Sequence, residues 1–127
     1  MTSSFLEHAN ITVSDPERSA KNLCHWFGWH IRWQGSAKDN GHSIHVGNEN
    51  SYLVVYKPQS APAQGSNPGK MVNGLNHVAV VVADLDATEQ RILASGFKTM
   101  NHADYEPGRR FYFYDHDGIE FEVVNYG

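Results

Sequence analysis

His8-Ala9-Asn10-Ile11-Thr12-Val13-Ser14-Asp15 and His77-Val78-Ala79-Val80-Val81-Val82-Ala83-Asp84 lie 69 residues apart and read as one motif written twice. The same shift lays Leu6 on Leu75, and Val54-Val55 on Val123-Val124. An internal repeat sets the architecture before any single residue is interpreted. In the first copy Ala9, Ile11 and Val13 alternate with His8, Asn10 and Thr12, the period of a strand with one polar face. Asp15-Pro16 then predicts a helix start, with aspartate as N-cap and proline in the first turn. Gly28 predicts its end near Phe27.

The remainder of each half reads as three short strands. In the first half these are Trp29–Trp33, Ser43–Val46 and Tyr52–Tyr56, joined by turn-rich stretches at 35–41 and 47–51. In the second, a strand over Asn76–Ala83 leads to a helix capped by Asp84 and stopped by Gly96. Strands are then predicted over Phe97–Asn101, Phe111–Asp115 and Ile119–Asn125, the last two turning through Asp115-His116-Asp117-Gly118. Each half is strand, helix, strand, strand, strand. The chain is read as a single domain over 1–127, with module 1 at 5–56, a Pro- and Gly-rich linker at 57–74 and module 2 at 75–126. The linker joins the modules, with a lid over a pocket as the sharper reading. One such module cannot bury its apolar sheet face alone, whereas two can.

Bulk properties narrow the function. A net charge of −4 with scattered Lys and Arg gives no overall attraction to nucleic acid or anionic membrane. The longest apolar run, Val78–Ala83, is too short to span a bilayer, and the first residues do not resemble a secretion signal. Cys24, the one cysteine, has no partner for an internal disulfide. A cytoplasmic setting is expected. Cys24 itself reads as a small buried hydrophobe on a helix.

Chemistry concentrates on three residues. His8 and His77 hold the same place in the repeat, and Glu122 follows His77 by 45 residues in the closing strand. Under the uniform shift Glu122 falls on Leu53, so the carboxylate has no twin. Two neutral imidazoles and one carboxylate make an open-sided set for a divalent ion. Tyr112 and Tyr114 should face the same way as Glu122, with Ser43 and His45 as their counterparts. Arg109 and Arg110 could hold an anionic substrate through forked hydrogen bonds, although a basic pair entering a strand is more often simply solvated. Trp26, Trp29 and Trp33 read as core or dimer contacts.

Taken in order, these features resemble the vicinal oxygen chelate superfamily, the glyoxalase, bleomycin-resistance and extradiol-dioxygenase group. The resemblance rests on His8 through Asp15, Phe27-Gly28-Trp29, His77 through Asp84, and Asp115-His116-Asp117-Gly118-Ile119-Glu120-Phe121-Glu122. It implies an α+β fold: two tandem βαβββ modules forming a cupped, mostly antiparallel, eight-stranded half-barrel sheet. It also implies a divalent metal on His8, His77 and Glu122, with Fe(II) favoured and Mn, Zn or Ni as alternatives. A small-molecule substrate and a homodimer are expected with it. Glyoxalase I adds an acidic ligand in the first module, where the repeat places Leu53. Fosfomycin-resistance transferases carry a Thr two residues after the first His, where this chain has Asn10. Extradiol dioxygenases share the ending: Phe111-Tyr112 ten residues ahead of the Glu, then Gly118-x-Glu120-x-Glu122. By that likeness Tyr112 would hydrogen-bond a metal-bound catecholate, with His45 or His102 as further acid-base groups. Asn10, Tyr114 and Arg109 would contact substrate. The competing reading is a metal-free module of the same fold that sequesters an antibiotic-type small molecule.

Overall fold

Asp15 and Asp84 each start a helix. The Asp15 carboxylate accepts from the Arg18 amide at 3.2 Å and heads α1 (Pro16–Phe27). The Asp84 carboxylate accepts from the Ala87 amide at 3.0 Å and heads α2 (Leu85–Ala94). Each cap satisfies an amide that lacks a partner within its own helix. Gly28 takes φ +69°, a left-handed conformation that costs glycine little, and closes α1. In this computed structural model, which describes residues 3–105 and 108–127, these helices belong to two compact units spanning residues 1–63 and 64–127.

In the first unit the strands are β1 (His8–Thr12), β2 (His30–Ala37), β3 (Gly41–Gly47) and β4 (Tyr52–Lys57), in sheet order β1-β4-β3-β2. The second repeats this with β5 (Val78–Val81), β6 (Thr99–Tyr105), β7 (Gly108–Tyr114) and β8 (Glu120–Asn125), in order β5-β8-β7-β6. In each sheet the first strand pairs parallel with the last, and the other pairings are antiparallel. The βαβββ repeat expected from the sequence is thus present twice.

Alternation divides each sheet into two faces. In the first unit Ile44, Val46, Leu53 and Val55 are buried on the face against which α1 sets Ala20, Leu23 and Trp26. In the second, Phe111, Phe113, Phe121 and Val123 are buried opposite Leu85 and Ile92 of α2. Burying each Val, Leu, Ile or Phe among these side chains contributes roughly 1.5–3 kcal/mol at most. The opposite faces carry His8, Asn10 and His45 in the first unit and Tyr112, Tyr114 and Glu122 in the second.

Two expectations need correction. The stretch 35–41 is not all turn: β2 runs to Ala37, and only Lys38–Gly41 reverses the chain. Asp39 and Asn40 both take positive φ, 56° and 51°, as a two-residue hairpin turn demands. Gly35 pairs with Ser43 within the strand, and the Trp33 indole lies where a side chain would be, its Cζ2 2.7 Å from the place of a Cβ. The repeat is also not uniform. β1 and β5 correspond by 69 residues, but Asn10 pairs with Val54 while Ala79 pairs with Glu122, so β4 and β8 correspond by 68. Val54, not Leu53, is therefore the counterpart of Glu122. His45 matches Tyr112, since each lies opposite one of these residues, and Ser43 matches Arg110. A valine binds metal no better than a leucine, so the module 1 sheet still lacks an acidic ligand there.

Candidate functional site

Two clusters occupy corresponding places in the two units. In the second, His77 immediately precedes β5, and Glu122 sits on the adjoining strand β8. His77 Nε2 is 3.1 Å from Glu122 Oε1, and its Nδ1 is 2.7 Å from Asn76 Oδ1. The Asn76 amide nitrogen donates to the Gly69 carbonyl at 3.3 Å, which leaves Oδ1 as the atom presented to the imidazole. Nδ1 must then donate, and in the neutral ring Nε2 carries a lone pair. That lone pair is aimed at a carboxylate oxygen. Two lone pairs at this separation require a positive charge between or upon them, a proton or a metal ion. The donor set therefore fits a divalent cation.

Glu122 is only 8% exposed. Its second oxygen accepts from Arg110 at 2.8 Å. Burial alone would lower the Arg110 guanidinium's pKa, but the hydrogen bond and charge of Glu122 outweigh it and hold the group above its ordinary value. Tyr112 lies opposite Glu122 in the ladder, and its ring stands edge-on to His77 with centroids 6.0 Å apart. Burial, and then the Glu122 charge, push the Tyr112 phenol up, so it remains a proton donor near neutrality.

In the first unit His8 Nδ1 is 2.8 Å from Glu7 Oε1, and the same oxygen accepts from the Tyr52 hydroxyl at 3.0 Å. The residue before each candidate ligand thus presents an oxygen to Nδ1, Glu7 in one module and Asn76 in the other. Such an arrangement fixes the ring and its tautomer and reserves Nε2 for another partner. The His8, Tyr52 and His45 rings lie nearly parallel, with Tyr52 4.8 Å from His8 and 5.0 Å from His45. The Arg32 guanidinium covers the Tyr52 ring at 4.2 Å. Burial, and then the charges of His8 and Arg32, hold His45 below the usual imidazole value, which keeps it neutral.

The second unit thus brings His77, Glu122 and Tyr112 together, and Tyr114 shares their face beside Glu120. In the first unit His45 and the exposed Asn10 share the His8 face. Among the described residues no three His, Cys, Asp or Glu side chains group tightly enough to enclose an ion. Two candidates point elsewhere. Arg109 bonds Asp86 of α2 at 3.1 Å, and its strand position is on the helix side of the sheet. His102 bonds Glu89 of α2 at 2.6 Å and stacks on core residue Phe111. Sequence reasoning misses Glu7 and Asn76, and it reads Arg110 as a solvated charge or an anion clamp, where the structure turns it to Glu122. Of the core and dimer readings of Trp33, the core one does not hold: Trp33 is half exposed on the His8 face, with its ring centroid 5.0 Å from that of His45. Cys24 is half-buried in α1, and burial pushes its thiol up.

Residues 5–123 match the family model for the Glyoxalase/Bleomycin resistance protein/Dioxygenase superfamily. The chain belongs to this superfamily. Solved structures agree on the fold. A glyoxylase/bleomycin resistance protein/dioxygenase domain from Frankia sp. EAN1pec superposes with TM-score 0.84 at 20% identity, covering 99% of this chain and 94% of that one. A point mutant of the genomically encoded fosfomycin resistance protein FosX from Listeria monocytogenes, complexed with Mn(II) and 1S,2S-dihydroxypropylphosphonic acid, superposes with TM-score 0.72 at 20% identity, covering 97% and 93%. TioX from Micromonospora sp. ML1 gives 0.69 at 18% identity, covering 98% and 100%. No curated protein matches the sequence. No helix among the described residues is long and apolar enough to cross a membrane.

Proposed function

We propose that this chain is a divalent-metal-dependent enzyme acting on a small substrate with two neighbouring oxygens, with His8, His77 and Glu122 as the ligands. The observation that carries this reading is the His77–Glu122 pair, an imidazole nitrogen and a carboxylate oxygen 3.1 Å apart that can share a proton or, in its place, a divalent cation. The repeated Nδ1 anchors on His8 and His77 support it, because fixed imidazoles are what a metal site requires. So does the FosX relative, which was crystallised with Mn(II) and a 1,2-dihydroxy compound.

A divalent ion held by His8, His77 and Glu122 would supply Lewis-acid stabilisation to two neighbouring substrate oxygens. The chain's own groups do the rest. Tyr112, kept protonated, donates a hydrogen bond to a substrate oxygen on the Glu122 face. His45, kept neutral, accepts a proton on the His8 face. Fe(II) with extradiol-dioxygenase-like chemistry is favoured by the Tyr112 and Gly118-x-Glu120-x-Glu122 pattern. Isomerase or lyase chemistry on Mn, Zn or Ni uses the same donors.

The test is anaerobic Fe(II) loading followed by 4-nitrocatechol, whose visible band shifts when both oxygens bind a metal. The proposal expects a shift with the native chain and none with His77→Ala. No shift with Fe(II), Mn(II), Ni(II) or Zn(II) would refute it. One observation favours a second reading, metal-free sequestration of a flat molecule: the half-exposed Trp33 indole laid across Gly35. In that case a planar ligand would quench Trp33 fluorescence equally with and without metal.

A further inference from the structure

We propose that Arg110 is a positioning residue that makes Glu122 a one-oxygen ligand: it occupies Oε2 and leaves Oε1 for the ion. The inference rests on the metal reading of the same site. Strand alternation places Arg110 on the Glu122 face, since Arg110 pairs with Val124 and Tyr112 with Glu122. Its guanidinium is restrained on three sides. One nitrogen donates to Glu122 Oε2 at 2.8 Å, another to the Gly108 carbonyl at 3.4 Å, and the Tyr105 ring lies beneath it with its centroid 5.1 Å away. Both side chains are largely withdrawn from solvent, 13% exposed for Arg110 and 10% for Glu122.

The chemistry follows from this geometry. A carboxylate can grip a metal with both oxygens or with one. A charge-assisted hydrogen bond engages the lone pairs of Oε2 and fixes the carboxylate plane. Oε1 then remains directed at His77 Nε2, 3.1 Å away. Arg110 also places a positive charge beside a carboxylate that is largely withdrawn from solvent, where an anion left with fewer partners is costly. Its own positive charge repels a cation, but the ion pair with Glu122 already offsets that charge. Removing Arg110 should therefore weaken metal binding rather than strengthen it.

The experiment titrates the full chain with Mn(II) and follows free Mn(II) by electron paramagnetic resonance. Arg110→Met should weaken binding about 10–100-fold, the usual effect of losing a partner that orients a ligand. Arg110→Lys keeps a charge but not the fork, and should recover part of the loss. In a Glu122→Gln background, Arg110→Met should cause no further loss. Replacement of Mn(II) by Co(II) gives a readout that general destabilisation does not mimic: Arg110→Met should alter the visible ligand-field bands as Glu122 becomes free to bind through both oxygens. If Arg110→Met does not fold, Arg110→Lys compared with the doubly substituted chain, which buries no lone charge, reads the same coupling. Unchanged or tighter binding in Arg110→Met, or an equal loss in both backgrounds, overturns the assignment while leaving the metal site standing. Failure of the native chain to bind any Mn(II) overturns both.

Discussion

Asn76 shows how the proposed metal site would rest on a side chain that touches no ion. Its amide nitrogen is held by the Gly69 carbonyl, and its oxygen fixes His77 Nδ1. Asn76→Ala should therefore weaken metal binding about 10–100-fold by calorimetric titration, whereas Asn76→Asp, which keeps the acceptor, should lose less. Asp115 gives a separate prediction about stability. Burial raises its pKa above the ordinary 3.8, although the Ile119 and Asp117 amides pull the other way. A folded pKa above the unfolded one means that stability falls as pH rises through the interval between them, and the cost is fully present at neutrality. Asp115→Asn retains an oxygen for both amides and removes the charge. It should be at least as stable as the native chain at pH 7 in urea melts, with that advantage shrinking towards pH 3. A variant clearly less stable at pH 7 would contradict this account. At this scale the histidines were legible because they recur in register. Arg110 was equally legible in principle, because it shares strand parity with Tyr112 and Arg109 does not. Asn76 and Glu7 occupy one repeat position and both carry an oxygen, a signal that becomes visible only once the ring nitrogens are assigned.

Helices and turns were the most readable elements, since Asp15, Gly28, Asp84 and Gly96 act through local backbone chemistry. Asp15→Ala should cost about 1 kcal/mol in thermal or urea unfolding, the usual effect of losing an N-cap. Strand ends were read less well because pairing, not propensity, decides them. β2 extends through Gly35 because its backbone pairs with Ser43, and the absence of a side chain there leaves room for the Trp33 indole. Gly35→Ala should displace the indole and alter Trp33 fluorescence while leaving the far-ultraviolet circular dichroism unchanged. An unaltered emission spectrum would place Trp33 elsewhere. Register was beyond reach of a single uniform shift. The one-residue drift between the modules exchanges Leu53 for Val54 as the counterpart of Glu122, and only the strand ladders reveal it.

For the whole chain, superfamily membership was legible from the order of weak motifs, each unconvincing alone. The substrate was not, because the same βαβββ scaffold carries unrelated chemistries and the specifying side chains lie on faces set by pairing. The central claim is that His8, His77 and Glu122 bind one divalent ion. The direct measurement is elemental analysis of protein purified without chelators, beside His8→Ala and His77→Ala variants that retain the native circular dichroism. About one equivalent of Fe, Mn, Zn or Ni per chain, lost in both variants, is the predicted result. No metal in the native chain, even after loading with each ion, or metal retained in both variants, would contradict it.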